Sequence, residues 1–285
     1  MSYPSGAGSG SLCVMQSGFH PPHLDIRILF ADIDDTMTTD GVIPREAFHA
    51  LWDAAEAGLR VVPVTGRPAG WCDHIARMWP VDGVIGENGA FYFRKTSDGI
   101  VRCHAQSPDE RVRNRARLEQ IRREVLAEVS GCGIASDQAY RDDDLAVDFC
   151  EDVPRLPWEE VERIVAVFER HGATAKVSSI HVNGWFGTFD KLSMTRRYIR
   201  DMDAVELEAH PYAYAFVGDS PNDEPMFAAF PTSFGVANIR AFLPHMTHRP
   251  ATIVEQSGGA GFQEVVRRLL SSPPEVPSTG ETSHA

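Results

Sequence analysis

Apolar positions in the first third of the chain fall alternately in short continuous runs and at helical spacing. IRILFADI (26–33) is a brief apolar run that ends in acidic residues, the pattern of a strand buried on both faces of a parallel sheet. Pro44 opens a helical pattern, REAFHALWDAAEAG, which closes at Gly58. LRVVPVTG (59–66) predicts a second buried strand, Pro68 starts a helix through Met78, and DGVIG (82–86) predicts a third strand. This alternation predicts an α/β fold with a doubly wound, Rossmann-like parallel sheet.

The rhythm changes after Gly86. AFYFRK and IVRCHA flank a Thr-Ser-Asp-Gly turn and predict a β-hairpin. A long helix is predicted from about Asp109 to Val129, then a strand, LAVDFC, and a helix opened by Pro157. ATAKVSS and HVNGWFG follow as a hairpin-like pair. The opening pattern then resumes: a helix in KLSMTRRYIRDM, a strand in AYAFVGDS, a helix in DEPMFAAF, a strand in FGVAN and a last helix in GFQEVVRRLL. The expectation is a core of residues 25–87 and 187–270, interrupted by an inserted α/β cap at 88–186. The ends, 1–24 and 271–285, are rich in Gly, Ser and Pro and are expected to be disordered.

Charge narrows the partners. With 27 Lys and Arg against 40 Asp and Glu the net charge is −13, which argues against nucleic acid. The one basic run, Arg111 to Glu124, is interleaved with Glu119 and reads as a solvated helix face. No apolar run reaches the length of a membrane span, and the N-terminus lacks the features of a secretory signal. Five cysteines, without a C-x-x-C pair, fit free thiols in a reducing cytoplasm. Eleven histidines without H-x-x-x-H disfavour a zinc site. The oligomeric state leaves no signal.

The candidate chemistry sits at predicted strand ends. Asp32 and Asp34 close the first strand two residues apart, so a side-chain period of two points both carboxylates to the ligand-binding edge of the sheet. Such a pair invites a hard divalent cation such as Mg²⁺. Thr65 and Gly66 offer a hydroxyl and backbone N–H groups to an anion. Lys191 opens the helix after the insert, where an ammonium can bridge phosphate and carboxylate. Asp219 and Asp223 add two carboxylates after another buried strand. Taken singly, each is equally an acidic turn, a structural TG turn or a solvated lysine. Together, in this order, they are much harder to dismiss.

DIDDT, VTGR, Lys191 and GDSPND resemble the motifs of the haloacid dehalogenase-like superfamily of phosphotransferases. GENGA (86–90), followed by an α/β insert, resembles the subclass with a type C2 cap (type IIB), which includes sugar and sugar-acid phosphatases. The resemblance implies a Mg²⁺-dependent phosphatase for a small phosphoester, with Asp32 as nucleophile and Asp34 as general acid and base. It also implies Mg²⁺ on Asp32, the Asp34 carbonyl and Asp219, with Asp223 orienting the metal shell. Thr65, Gly66, Lys191 and Asn222 would bind phosphate, and Asn222 is alternatively an orienter of Lys191. Asp35 stands where many members carry Gly. Cap residues Asn88, Arg141, Asp142, His181 and Asn183 are candidates for substrate contact. Gly86, Gly89, Gly184 and Gly187 flank the insert and serve either as hinges or as ordinary turn glycines. A phosphomutase of the same fold and a catalytically inactive binding protein are the rival expectations. An NAD enzyme is remote, because no G-x-G-x-x-G follows the first strand.

Overall fold

The computed structural model describes residues 26–178 and 180–271. The two expected disordered ends, 1–24 and 271–285, lie outside the described residues, apart from Ser271, which is the last residue of a helix.

The first strand, β1 (Ile28–Ala31), has all four residues buried. It leads through a turn to α1 (Arg45–Glu56), which buries Ala47, Ala50, Leu51 and Ala54 on one face. Then follow β2 (Arg60–Pro63), α2 (Ala69–Met78) and β3 (Val84–Gly86). The hairpin of β4 (Phe91–Thr96) and β5 (Gly99–His104) comes next. The insert contains α3 (Pro108–Glu128), β6 (Gly133–Ile134), β7 (Asp144–Asp148), α4 (Trp158–Arg170), β8 (Thr174–Val177) and β9 (His181–Trp185). The core resumes with α5 (Lys191–Asp203), β10 (Tyr214–Gly218), α6 (Glu224–Ala229), β11 (Thr232–Gly235), β12 (Thr252–Ile253) and α7 (Gly258–Ser271).

The core sheet runs β12-β11-β10-β1-β2, all parallel. A parallel bridge from Val64 to Ile85 brings β3 alongside β2. Strand order therefore reverses beside β1, which places its carboxyl end where open α/β sheets bind ligands. Apolar side chains cover both faces. Leu29, Ala31, Val61, Ala215 and Val217 point to one cluster, and Ile28, Phe30, Val62 and Phe216 to the other.

The hairpin departs from the expected domain boundary. β4 pairs antiparallel with β3 and extends the core rather than the insert. Phe91 and Phe93 are buried in one core cluster and Tyr92 in the other. Alternating hydrophobicity identifies a strand but does not say which sheet it joins. The insert has its own antiparallel sheet, β6-β7-β9-β8, and its own cluster around Ile121, Val125, Val147, Ile164, Phe168 and Val182. α3 begins with a capping box in which Ser107 and Glu110 bond each other's backbone N–H. The two-residue strands β6 and β12 are too short to show a periodicity, and the sequence did not disclose them.

Gly184 is not a hinge. It lies within β9, paired with Leu145 and Ala175, and a Cβ there would enter the Phe168 ring. Gly184→Ala is expected to overpack the insert by about 1–3 kcal/mol, read as a lowered Tm. Gly89 has φ +103, and a Cβ there would meet the Asp190 carbonyl, so the need is for a close approach of two backbones. No helix among the described residues is long and apolar enough to cross a membrane.

Candidate active site

A cavity of about 760 Å³ opens at the carboxyl end of the core sheet, beneath the insert. Its floor carries Asp32, Asp34, Gly66, Lys191, Asp219 and Asn222, and its roof includes Trp158, Ile180, His181 and Asn183.

Lys191 is the buried link between the acidic motifs. It is the first residue of α5, which Asp190 caps by accepting the Ser193 N–H at 2.7 Å. Its Nζ donates to Asp32 Oδ1 at 2.7 Å and to Asp223 Oδ1 at 2.9 Å. Asp223 Oδ2 in turn accepts the Asp219 N–H. Asp219 accepts from Thr36 Oγ1 at 3.2 Å and from Asn238 Nδ2 at 3.3 Å. Carboxylate oxygens of Asp32, Asp219 and Asp223 all lie within 4.8 Å of one another.

Three carboxyls facing one ammonium leave an excess of negative charge. Burial pushes Asp32 up to about 7, against the pull of Lys191, and the charges of Asp223 and Asp34 add to the rise. Burial also pushes Asp219 up to about 9, reinforced by Asp32 and Asp223. Burial opposes the Lys191 ammonium, but Asp223 and Asp32 outweigh it and raise its pKa. Hard oxygen donors with unrelieved charge suit Mg²⁺, so the residues present fit the expected cation.

Asp34 stands apart from this cluster. β1 ends at Ala31 and Asp34 sits in the following turn, so the period of two no longer governs its direction. Its carboxylate still lines the cavity, but Arg67 grips both oxygens, with Nη2 2.6 Å from Oδ1 and Nε 3.1 Å from Oδ2. Arg67 also lies over the Trp71 ring at 4.7 Å. Arg67 is the last residue of VTGR, and nothing in that segment's pattern signals its pairing with Asp34.

Thr65 is fully buried, and its Oγ1 accepts the Arg67 N–H at 3.0 Å. Thr65 O accepts the Asn88 N–H at 3.0 Å, and Arg67 O accepts the Glu87 N–H at 3.1 Å. The turn is thus bonded from behind, and Gly66 and Arg67, though not Thr65, are among the residues that line the cavity. Asn222 is exposed and accepts from Ser220 Oγ, while both Lys191 bonds go to carboxylates, so Asn222 does not orient Lys191.

The insert's candidates divide. His181 and Asn183 line the roof. Asn183 Nδ2 donates to Asp144 Oδ2 at 2.9 Å, and His181 Nε2 lies 2.8 Å from the Glu151 carboxylate. That approach lacks the alignment of a hydrogen bond, leaving the buried Nε2 without a partner among the described residues. Asn88 adopts φ 56 in the turn after β3, and its side chain packs against Gly66. Asp142 pairs with Arg111 at 3.1 Å. Arg141 also lines the cavity, but its side chain is 2% exposed and its donors go to Asp137, Asp144 and the Gly66 carbonyl.

Glu87 escaped the sequence reading. It is fully buried, and its carboxylate accepts four backbone N–H groups, from Ala69, Asp142, Asp143 and Asp144. Burial pushes its pKa well up, with the Asp144 charge, and the N–H donors resist. The N–H groups it holds belong to both core and insert. Asn238, in the helical turn after β11 (Ala237–Ala241), is a further residue without a signal in the sequence. No local pattern marks either residue, because their partners are remote in sequence.

Residues 29–131 match the family model described as haloacid dehalogenase-like hydrolase. That segment, which holds β1 to β5 and α3, is therefore similar to the haloacid dehalogenase-like hydrolases. No curated protein matches the sequence at a significant level. Among solved structures, the 0175 protein of Thermoplasma acidophilum has a TM-score of 0.66 at 20% identity, covering 86% of this chain and 98% of that one. The sucrose-phosphatase of Synechocystis sp. PCC6803, in complex with sucrose and phosphate, has a TM-score of 0.61 at 15% identity, covering 86% and 98%. A subclass IIB sugar phosphatase has a TM-score of 0.58 at 15% identity, covering 85% and 98%. These likenesses show a shared fold across the insert as well as the core.

Proposed function

We propose that the protein is a Mg²⁺-dependent phosphatase acting on a small phosphorylated metabolite, a sugar phosphate or sugar-acid phosphate. The observation that carries this reading is Lys191 Nζ, bonded at once to Asp32 and Asp223 on the cavity floor. An ammonium so placed meets the charge of a transferring phosphoryl group while keeping Asp32 in position. The sucrose-phosphatase and sugar phosphatase neighbours support the substrate class.

In this mechanism Asp32 attacks phosphorus with Oδ2, the oxygen not held by Lys191. The Asp32–phosphorus bond forms as the bond to the leaving oxygen breaks. Asp34 gives that oxygen its proton, then removes one from the water that hydrolyses the aspartyl-phosphate and releases inorganic phosphate. Arg67 has to yield one Asp34 oxygen before Asp34 reaches either group. Thr65 Oγ1 and the Gly66 N–H donate to the phosphoryl oxygens. Asp32 and Asp219 would hold Mg²⁺, steadied by Asp223, and the cation would supply Lewis-acid charge stabilisation.

A screen of phosphate release across sugar phosphates, sugar-acid phosphates and a small aryl phosphate tests the reading. Turnover of at least one class is expected. Isomerised sugar phosphate without free phosphate would identify a mutase instead. Failure with every phosphoester in the presence of Mg²⁺ would overturn the proposal.

A further inference from the structure

The insert sends one side chain into the phosphate-binding turn of the core. Arg141 lies between a helical turn (Gln138–Tyr140) and β7, and its Nη1 donates to Gly66 O at 3.0 Å. The other bonds of its guanidinium build a rigid mount. Nε and Nη2 take the two oxygens of Asp137 at 2.9 and 3.0 Å, and Nη1 also meets Asp144 at 3.0 Å. Asn183 fixes Asp144, and Glu87 fixes the backbone of 142–144. A planar fork held on all sides in this way has little freedom left to lose.

We infer that Arg141 is a positioning residue for the phosphoryl site, acting through the Gly66–Arg67 peptide on the Thr65 hydroxyl. The peptide is trans and planar, so its C=O and N–H point to opposite sides. Arg141 holds the carbonyl, and the N–H on the far side donates to Thr65 Oγ1 at 3.0 Å. That bond occupies an acceptor site of the hydroxyl and leaves its proton for the phosphoryl group of the proposed reaction. The orientation of a donor to phosphate is thereby set from the insert, across the domain junction. The insert is then more than a lid, because the catalytic turn of the core is completed by its arginine.

This inference rests on the phosphatase reading, and a double-mutant cycle separates the two. A small aryl phosphate is the substrate, so that any Arg141 effect is independent of contacts between a sugar and the roof. Wild-type turnover checks the phosphatase reading by itself. Arg141→Met is expected to lower kcat/KM about tenfold, as is Thr65→Val. If Arg141 acts through the Thr65 hydroxyl, Arg141→Met in the Thr65→Val background lowers it by less than about threefold further. Arg141→Lys keeps the buried charge beside Asp144 without the fork, and carries the same cycle if the Met variant does not fold. Full additivity in a folded pair, or unchanged kcat/KM in Arg141→Met, would overturn the inference while leaving the phosphatase reading intact.

Discussion

Asp32→Asn is expected to lower phosphate release by about 10⁴-fold or more, because an amide does not supply the nucleophilic oxygen. The fold should survive. Asp32 is 6% exposed, and the amide keeps its shape and an oxygen for the Lys191 bond at Oδ1. Burial already works against the charge at this position, so its loss removes repulsion from Asp223 and Asp34 even as it weakens the attraction to Lys191. The measurement is steady-state phosphate release alongside thermal unfolding. Near-normal turnover by a folded Asp32→Asn protein would remove Asp32 from the nucleophile's role. A loss of turnover accompanied by unfolding would transfer the explanation to stability.

The parts of the site that were legible share one property: each sits at the end of a buried strand or the start of a helix. Asp32, Thr65 and Asp219 follow apolar runs, and Lys191 follows the capping residue Asp190, so local pattern placed them. The direction of Asp34 was not legible, because the strand ends at Ala31 and what orients the carboxylate is Arg67, held in a different turn. The hairpin 91–104 showed its strands but not its sheet, since its allegiance comes from pairing with β3. Arg141 and Glu87 illustrate the deeper limit. A charged residue in a loop is ordinarily solvated. These two are buried because partners brought together from core and insert neutralise or cap them, and such partners leave no periodicity in the sequence. The same feature engages the Arg141 donors with protein acceptors on the cavity wall.

Removal of divalent cations is the other change expected to have a large effect, and it should be visible in stability as well as in turnover. Turnover should fall by about 10³-fold or more on exhaustive chelation and return with Mg²⁺. Ca²⁺, which prefers more ligands and longer bonds, should bind without restoring it. The stability signature follows from the carboxyls. Asp219 is pushed from 3.8 to about 9, and Asp32 from 3.8 to about 7, burial being the main cause for both. Between those limits the folded protein retains protons that the unfolded chain releases. Its stability without cation is therefore greatest near pH 4 as far as these two groups decide it, and falls as pH rises towards 9. A bound cation replaces the protons, so the stabilisation by Mg²⁺ should be small at pH 5 and grow through pH 8. At a hundredfold excess over Kd it amounts to about 2.7 kcal/mol, or a rise in Tm of about 4–5 °C for a chain of this size. Thermal unfolding with and without Mg²⁺ at pH 5 and pH 8 measures this without any substrate. An equal shift at both values would dissociate the cation from Asp32 and Asp219, and undiminished turnover after chelation would end the case for a metal-dependent reaction.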